Sequence, residues 1–215
     1  MLWSKPSELF AAWHWTGLLL ILLAALFLSA ASTDTRASEI AEISAFSLVF
    51  AGTLWAASIG NILRFLGCGL IAIWFFLGLN GPYQDEAVVG PIFILVTACI
   101  LVGCLLVTVS ELAHNHDAGL DPLMGAVFGF ILIAVSWSML YVRIEGHTPG
   151  SFNSASERMT SDEFMYFSLV TMTTLGYGEI TPASPIPRLL AGLQAATGTI
   201  YIAVFIGRVV GRFKT

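Results

Sequence analysis

Thr171-Met172-Thr173-Thr174-Leu175-Gly176-Tyr177-Gly178-Glu179 is a short stretch, polar for its surroundings, set between two long apolar runs. In water it would be an ordinary loop. Inside a membrane, irregular backbone is tolerated only where protein buries it or where it lines a water-filled cavity. The residue types suit a cavity. Thr174 offers a hydroxyl and a carbonyl, and Leu175, Gly176 and Tyr177 offer further carbonyls in order. Gly176 and Gly178 take left-handed backbone angles without a Cβ penalty, which lets successive carbonyls turn the same way. A ring of such carbonyls can replace the water shell of a dehydrated ion.

The order Thr173-Thr174-Leu175-Gly176-Tyr177-Gly178-Glu179 resembles the signature of the potassium channel family, whose filter reads Thr-Val-Gly-Tyr-Gly. The resemblance extends over the last part of the chain. It implies a selectivity filter at Thr174, Leu175, Gly176, Tyr177 and Gly178, with potassium ions held at Thr174, Leu175, Gly176 and Tyr177. It implies filter support from Thr173, Tyr166, Phe167 and Glu179, with the rings of Tyr166 and Phe167 packed behind Tyr177. Val170 stands where several relatives carry a carboxylate that pairs with the acid after the filter. Here that acid is Glu179, not the commoner aspartate, and a valine cannot pair with it, so the resemblance leaves inactivation open. Gly198 matches the hinge glycine of the inner helix; close packing of small residues explains it equally well. Arg188 matches a basic position after the filter, or serves as an interface anchor.

Composition agrees with a membrane protein. Of 215 residues, 57% are hydrophobic and only 11% charged, against about 25% in soluble domains. The mean hydropathy is +0.84. No basic or acidic tail points to nucleic acid. Cys68, Cys99 and Cys104 lie in apolar runs and read as buried thiols, with no disulfide framework or metal site implied.

Six apolar runs, roughly 10–31, 40–59, 62–79, 88–110, 122–144 and 185–211, are long enough to span a bilayer of about 30 Å. The brief break at Ser58–Arg64 predicts a tight turn between the second and third. Gly81-Pro82 closes the third. The first run ends in Ser29-Ala30-Ala31 behind Lys5 and has the outline of a signal peptide, but it is long for one and is expected to remain as a span. A run at 161–173 is too short to span. Thr160 and Glu163 give it a capping-box start, so its carbonyl end points toward the loop and favours a cation there. Asp121-Pro122 and Ser184-Pro185 read as cap and first helical position for the fifth and sixth runs.

With the amino terminus inside, Lys5, Arg64, Arg208, Arg212 and Lys214 fall inside, and Arg36, Arg143, Arg158 and Arg188 outside. That bias is slight; the cluster at the end of the sixth run is the stronger support for cytoplasmic termini. The polar stretch Glu111–Asp121 is the expected domain boundary. His114, His116 and Asp117 lie within it and read as a solvated loop, not a metal or proton sensor. His147 reads the same way. Gly125/Gly129 and Gly207/Gly211 read as helix-packing pairs. Between Arg64 and Arg143 there is no Lys or Arg, and Val88–Val109 is uncharged, so the first four helices have the order of a voltage sensor without its charges.

The expectation is therefore an all-α membrane protein with six transmembrane helices and a re-entrant pore helix and filter between the fifth and sixth. Residues 1–118 form a four-helix transmembrane domain without a charge ladder, and 119–215 the pore domain. One filter strand per chain calls for a homotetramer in the plasma or bacterial inner membrane. The expected function is passive potassium conduction. No enzyme chemistry, no cofactor besides potassium ions in the filter and no nucleic-acid partner are expected. The alternatives are a non-selective cation channel or a non-conducting multi-pass protein with a degenerate pore. A secondary transporter would need ionisable groups at membrane depth, and the second to fifth runs have none.

Overall fold

The computed structural model describes residues 14–31, 36–56, 60–80, 86–114, 120–155, 159–207 and 211. Seven α-helices make up almost all of it: α1 (His14–Ala31), α2 (Arg36–Ala56), α3 (Asn61–Asn80), α4 (Glu86–His114), α5 (Leu120–His147), α6 (Ser161–Met172) and α7 (Pro185–Tyr201). A π-helical turn, Ile202–Ile206, continues α7. Two short strands, β1 (Phe152–Asn153) and β2 (Thr181–Pro182), pair antiparallel, Phe152 opposite Pro182 and Asn153 opposite Thr181. The second and third apolar runs are separate helices. The chain packs as two compact units, Met1–Gly129 and Phe130–Thr215, and the division falls inside α5. The expected boundary at 118, the turn at Gly81-Pro82, and His116 with Asp117 lie outside the described residues.

In the first unit, α2 packs against α1, α3 and α4, and α3 also packs on α4. Trp74 organises the interior of this unit. Its ring meets Phe50 edge-on at 5.5 Å and stacks on Phe93 at 5.6 Å. Its indole N–H donates to the Thr97 hydroxyl at 2.7 Å, and that hydroxyl donates back to the Phe93 carbonyl at 2.6 Å. A large ring thus enters an apolar interior with its polar atom satisfied.

Asp121 departs from the sequence expectation. It does not cap its own helix, which begins one residue earlier at Leu120. Its carboxylate instead accepts from the Thr16 amide at 2.9 Å, the Thr16 hydroxyl at 2.9 Å and the Trp15 amide at 3.3 Å. These are first-turn groups of α1, which an α-helix leaves without internal partners. A carboxylate there also meets the positive end of the helix dipole. His14 approaches the same carboxylate at 3.7 Å. Local spacing could not have shown a cap supplied from more than a hundred residues away.

Only Cys104 is buried; Cys68 and Cys99 are exposed, and all three are free thiols. This corrects the reading of three buried thiols. Apolar runs in a membrane protein face lipid as readily as core, so hydropathy does not separate the two. By length and apolarity, Asn61–Leu79 and Leu120–His147 qualify as membrane spans, and His14–Ala30, Ile43–Trp55 and Leu95–Ser110 are shorter apolar helices. Only 11% of the apolar window of Asn61–Leu79 is buried inside the structure, so nearly all its surface is left for the surroundings.

Replacing Asp121 with alanine removes all three acceptor contacts on α1. The expected loss is about 1–2 kcal/mol, read as a lower melting temperature of the detergent-purified protein. Thr16→Ala, which removes one contact of the three, is expected to lose less.

Candidate functional site

The quoted loop sits at the carboxyl end of α6. Thr160 caps that helix as its spacing predicts: the Glu163 amide donates to the Thr160 hydroxyl at 3.4 Å, and the Thr160 amide donates to the Glu163 carboxylate at 2.8 Å. The other end is closed by the loop itself. The Thr173 amide donates to the Leu169 carbonyl at 3.0 Å, Thr174 to Thr171 at 3.0 Å, and Leu175 and Gly176 to Val170 at 2.9 and 3.4 Å. The Thr173 hydroxyl adds a bond to the Leu169 carbonyl at 2.8 Å. The last carbonyls of α6, where the helix dipole is negative, therefore lie directly under the loop.

Backbone handedness alternates through the loop. Thr174, Gly176 and Gly178 have φ of 59°, 52° and 95°, while Leu175 and Tyr177 between them are not left-handed. Alternation of this kind turns successive peptide planes the same way, and glycine takes the left-handed positions at low cost. Thr174 is the one non-glycine residue with positive φ among the described residues. A β-branched residue there is strained, and such strain persists only where the surroundings hold it. The amides of Thr173 to Gly176, bound to the helix end, supply that hold.

Tyr166 donates its phenolic hydrogen bond to the Glu179 carboxylate, tying the middle of α6 to the residue after the loop. That carboxylate holds the phenol above its ordinary pKa, so it stays a donor. The sequence placed Tyr166 behind Tyr177 and left Glu179 without a partner; the structure pairs Tyr166 with Glu179. Phe167 is buried among aromatic rings, 5.2 Å from Tyr141 and 5.4 Å from Phe152, each edge-on, with Phe164 completing the cluster. The Tyr177 ring is 68% exposed within one chain. A cleft of ≈ 210 Å³ lies behind the loop, lined by Tyr166, Val170, Gly176, Glu179 and Ala191 among others.

The far side of the loop is anchored by Arg188, which the sequence did single out, and by Glu145 and Gln194, which it did not. Glu145, near the end of α5, accepts from the Gly150 amide at 2.8 Å and the Phe152 amide at 3.2 Å. That fixes β1, and β1 pairs with β2 just after Glu179. The Arg188 side chain donates to the Pro182 carbonyl at 3.2 Å, so it braces the same strand from α7. Gln194, the only carboxamide in the run 185–211, is fully buried and bonds to both α5 and α6. A polar side chain at membrane depth was the available signal. Among the described residues no group of three His, Cys, Asp or Glu gathers as a metal site.

Gly198 is buried against the end of α6. A Cβ there would overlap the Met172 carbonyl oxygen and lie 2.8 Å from Met172 Cγ. Backbone cannot swing aside as a side chain can, so Gly198→Ala is expected to cost about 1–3 kcal/mol. The measurement is thermal stability and yield of the assembled protein. Gly207→Ala, whose Cβ would have its nearest neighbour at 3.9 Å, is the tolerated control.

The family comparison falls on this part of the chain. The model of the family described as ion channel matches residues 125–214. The inward rectifier potassium channel Kirbac3.1 of Paramagnetospirillum magnetotacticum is 36% identical over 70 residues, 33% of this chain and 21% of that protein. The potassium voltage-gated channel protein shk-1 of Caenorhabditis elegans is 31% identical over 87 residues, 40% of this chain and 15% of that one. Protein LctB of Bacillus caldotenax is 29% identical over 126 residues, 55% of this chain and 92% of its own length. No solved structure matches. The loop Thr174–Gly178, between α6 and α7, lies inside the region that matches the ion channel family, and the relatives named as potassium channels are similar to parts of this chain.

Proposed function

We propose that this chain is one subunit of a homotetrameric, potassium-selective channel that conducts passively across the cell membrane. The observation that carries the reading is the alternating backbone of Thr174 to Gly178 above the carbonyl end of α6. Four copies around one axis would stack the carbonyls of Thr174, Leu175, Gly176 and Tyr177, with the Thr174 hydroxyl below them, into a row of dehydrated potassium sites. Thr173, Tyr166, Phe167 and Glu179 support the strand. Potassium ions are the only cofactor the reading needs, and no reaction is catalysed.

In this reading α1 to α5 and α7 with its π turn are six spans, and α6 is re-entrant. The shorter apolar helices are compatible, since about 17 residues at 1.5 Å rise reach through a thin bilayer with flanking polar ends. Both termini lie in the cytoplasm, which puts Glu179 and the β1–β2 pair outside. Residues 119–215 act as the pore domain, and residues 1–118 as a four-helix transmembrane domain without a charge ladder. Gly198 is the gating hinge. Its seat on Met172 means that bending there acts directly on the last turn of α6.

Three outcomes test the reading. Purified protein in liposomes is expected to pass potassium strongly over sodium, and Tyr177→Asp to lose that preference while still assembling. Equal permeability in the unmodified protein would point to a non-selective cation channel, and absence of any flux to a degenerate pore. In gentle detergent the conducting species is expected to have the mass of four chains; a monomer or dimer as the conducting form overturns the assembly.

Conductance is expected to depend little on voltage. One charge crossing the membrane field is worth about 2.3 kcal/mol per 100 mV, and steep gating needs several per subunit. The stretch Val88–Val109 offers none. A conductance–voltage curve in symmetrical potassium that needs more than about one gating charge per tetramer, by the same arithmetic, would overturn this.

A further inference from the structure

The pore chemistry leaves one buried polar cluster unused. Gln194 of α7, Ser168 of α6 and Tyr141 of α5 are each fully buried. The Tyr141 hydroxyl donates to Gln194 Oε1 at 2.7 Å. Gln194 Nε2 donates to the Ser168 hydroxyl at 2.7 Å and to the Ser168 carbonyl at 3.1 Å. The Ser168 hydroxyl donates onward to the Ala134 carbonyl on α5 at 2.6 Å. The chain of bonds has one direction. The Ser168 carbonyl can only accept, so the amide must turn its nitrogen to α6 and its oxygen to Tyr141. A flipped amide would face oxygen to oxygen.

An apolar residue would fill the same volume without needing partners. Leucine against leucine tolerates small slides and rotations of one helix on another, because dispersion has no direction. A carboxamide with two donors and one acceptor engaged has a single seat. Gly198 lies one helical turn beyond Gln194 on the same face of α7 and touches the backbone of Met172, the last residue of α6. Thus α7 holds α6 at two successive turns, at its middle through Ser168 and at its end through Met172, and the loop begins at the next residue.

We propose that Gln194 is a positioning residue for the filter loop, locking α6 to α5 and α7 so that the placement of α7 decides whether Thr174 to Gly178 keep their alternating conformation. The inference rests on the reading of that loop as an ion filter. Movement of α7 that parts Gln194 from Ser168 and Tyr141 strands the buried amide and the buried Tyr141 hydroxyl together, which makes the held and released positions distinct states and not a continuum. The π turn Ile202–Ile206 lies below this braced segment, where α7 departs from α-helical hydrogen bonding.

The test uses the full chain in liposomes, with single-channel recording in potassium and a potassium-to-sodium permeability ratio. Gln194→Leu is expected to lower open probability about tenfold, since a broken buried pair shifts an equilibrium by about that factor. Tyr141→Phe, which keeps the ring packing and removes one hydroxyl, is expected to lower it less. Gln194→Glu separates positioning from bulk. As a neutral acid its one O–H reaches Ser168 and its other oxygen accepts from Tyr141; as a carboxylate it has no donor for Ser168. Its open probability is therefore expected to be high in acid and to fall as pH rises through the introduced group's pKa, while the unmodified channel stays flat over the same window. Normal conduction by the unmodified protein, with open probability and selectivity unchanged in every assembled variant at every pH, overturns the proposal and leaves the filter reading standing. Where Gln194→Leu does not assemble, Tyr141→Phe decides: a lowered open probability supports positioning, and an unchanged one overturns it. No potassium flux from the unmodified protein overturns the filter reading and this proposal together.

Discussion

A backbone that keeps its carbonyls free of helix or sheet partners has nothing of its own to hold it in place. Residues 174–178 belong to no helix and no strand. Their shape is imposed from three sides. The carbonyl end of α6 takes the amides of Thr173 to Gly176. Tyr166 holds Glu179 beyond the loop. The β1–β2 pair fixes Thr181 and Pro182, and Glu145 and Arg188 fix that pair in turn. The positive φ of Thr174 is the mark of this outside control, since a threonine left to itself avoids that conformation.

Behind the loop, the second unit combines two kinds of interior. One is a set of edge-on aromatic rings, Tyr141, Phe152, Phe164 and Phe167, which resists compression but is indifferent to small rotations. The other is the Gln194–Ser168–Tyr141 chain of hydrogen bonds, which is directional. Tyr141 belongs to both, with its ring in the first and its hydroxyl in the second. The first gives bulk rigidity and the second gives register.

The first unit obeys a different economy. Its helices are apolar on nearly all sides, and α3 turns most of its apolar surface outward. Side-chain hydroxyls bond within their own helices, as Thr53 does to the Val49 carbonyl at 2.8 Å and Thr108 to the Cys104 carbonyl at 2.8 Å. Such bonds satisfy polar atoms without fixing one helix to another. Trp74 with Thr97, and Asp121 with the start of α1, are among the polar links between helices there.

The sequence by itself determined the things that depend on local order. The left-handed turns at Gly176 and Gly178 were legible because glycine takes positive φ without a Cβ penalty. The start of α6 was legible because a capping box spans only three residues. The apolar runs marked where helices lie. Tertiary structure alone decided the partners of single polar groups. Asp121 reads locally as its own helix cap and belongs to α1; Glu179 reads as unpaired and belongs to Tyr166; Gln194 reads as one amide in an apolar run and joins three helices. The outward cysteines Cys68 and Cys99 were illegible for a related reason, because a helix in lipid is apolar on every face. Hydrogen bonds are short and directional, so which donor meets which acceptor is settled only when helices distant in sequence are brought within about 3 Å of each other.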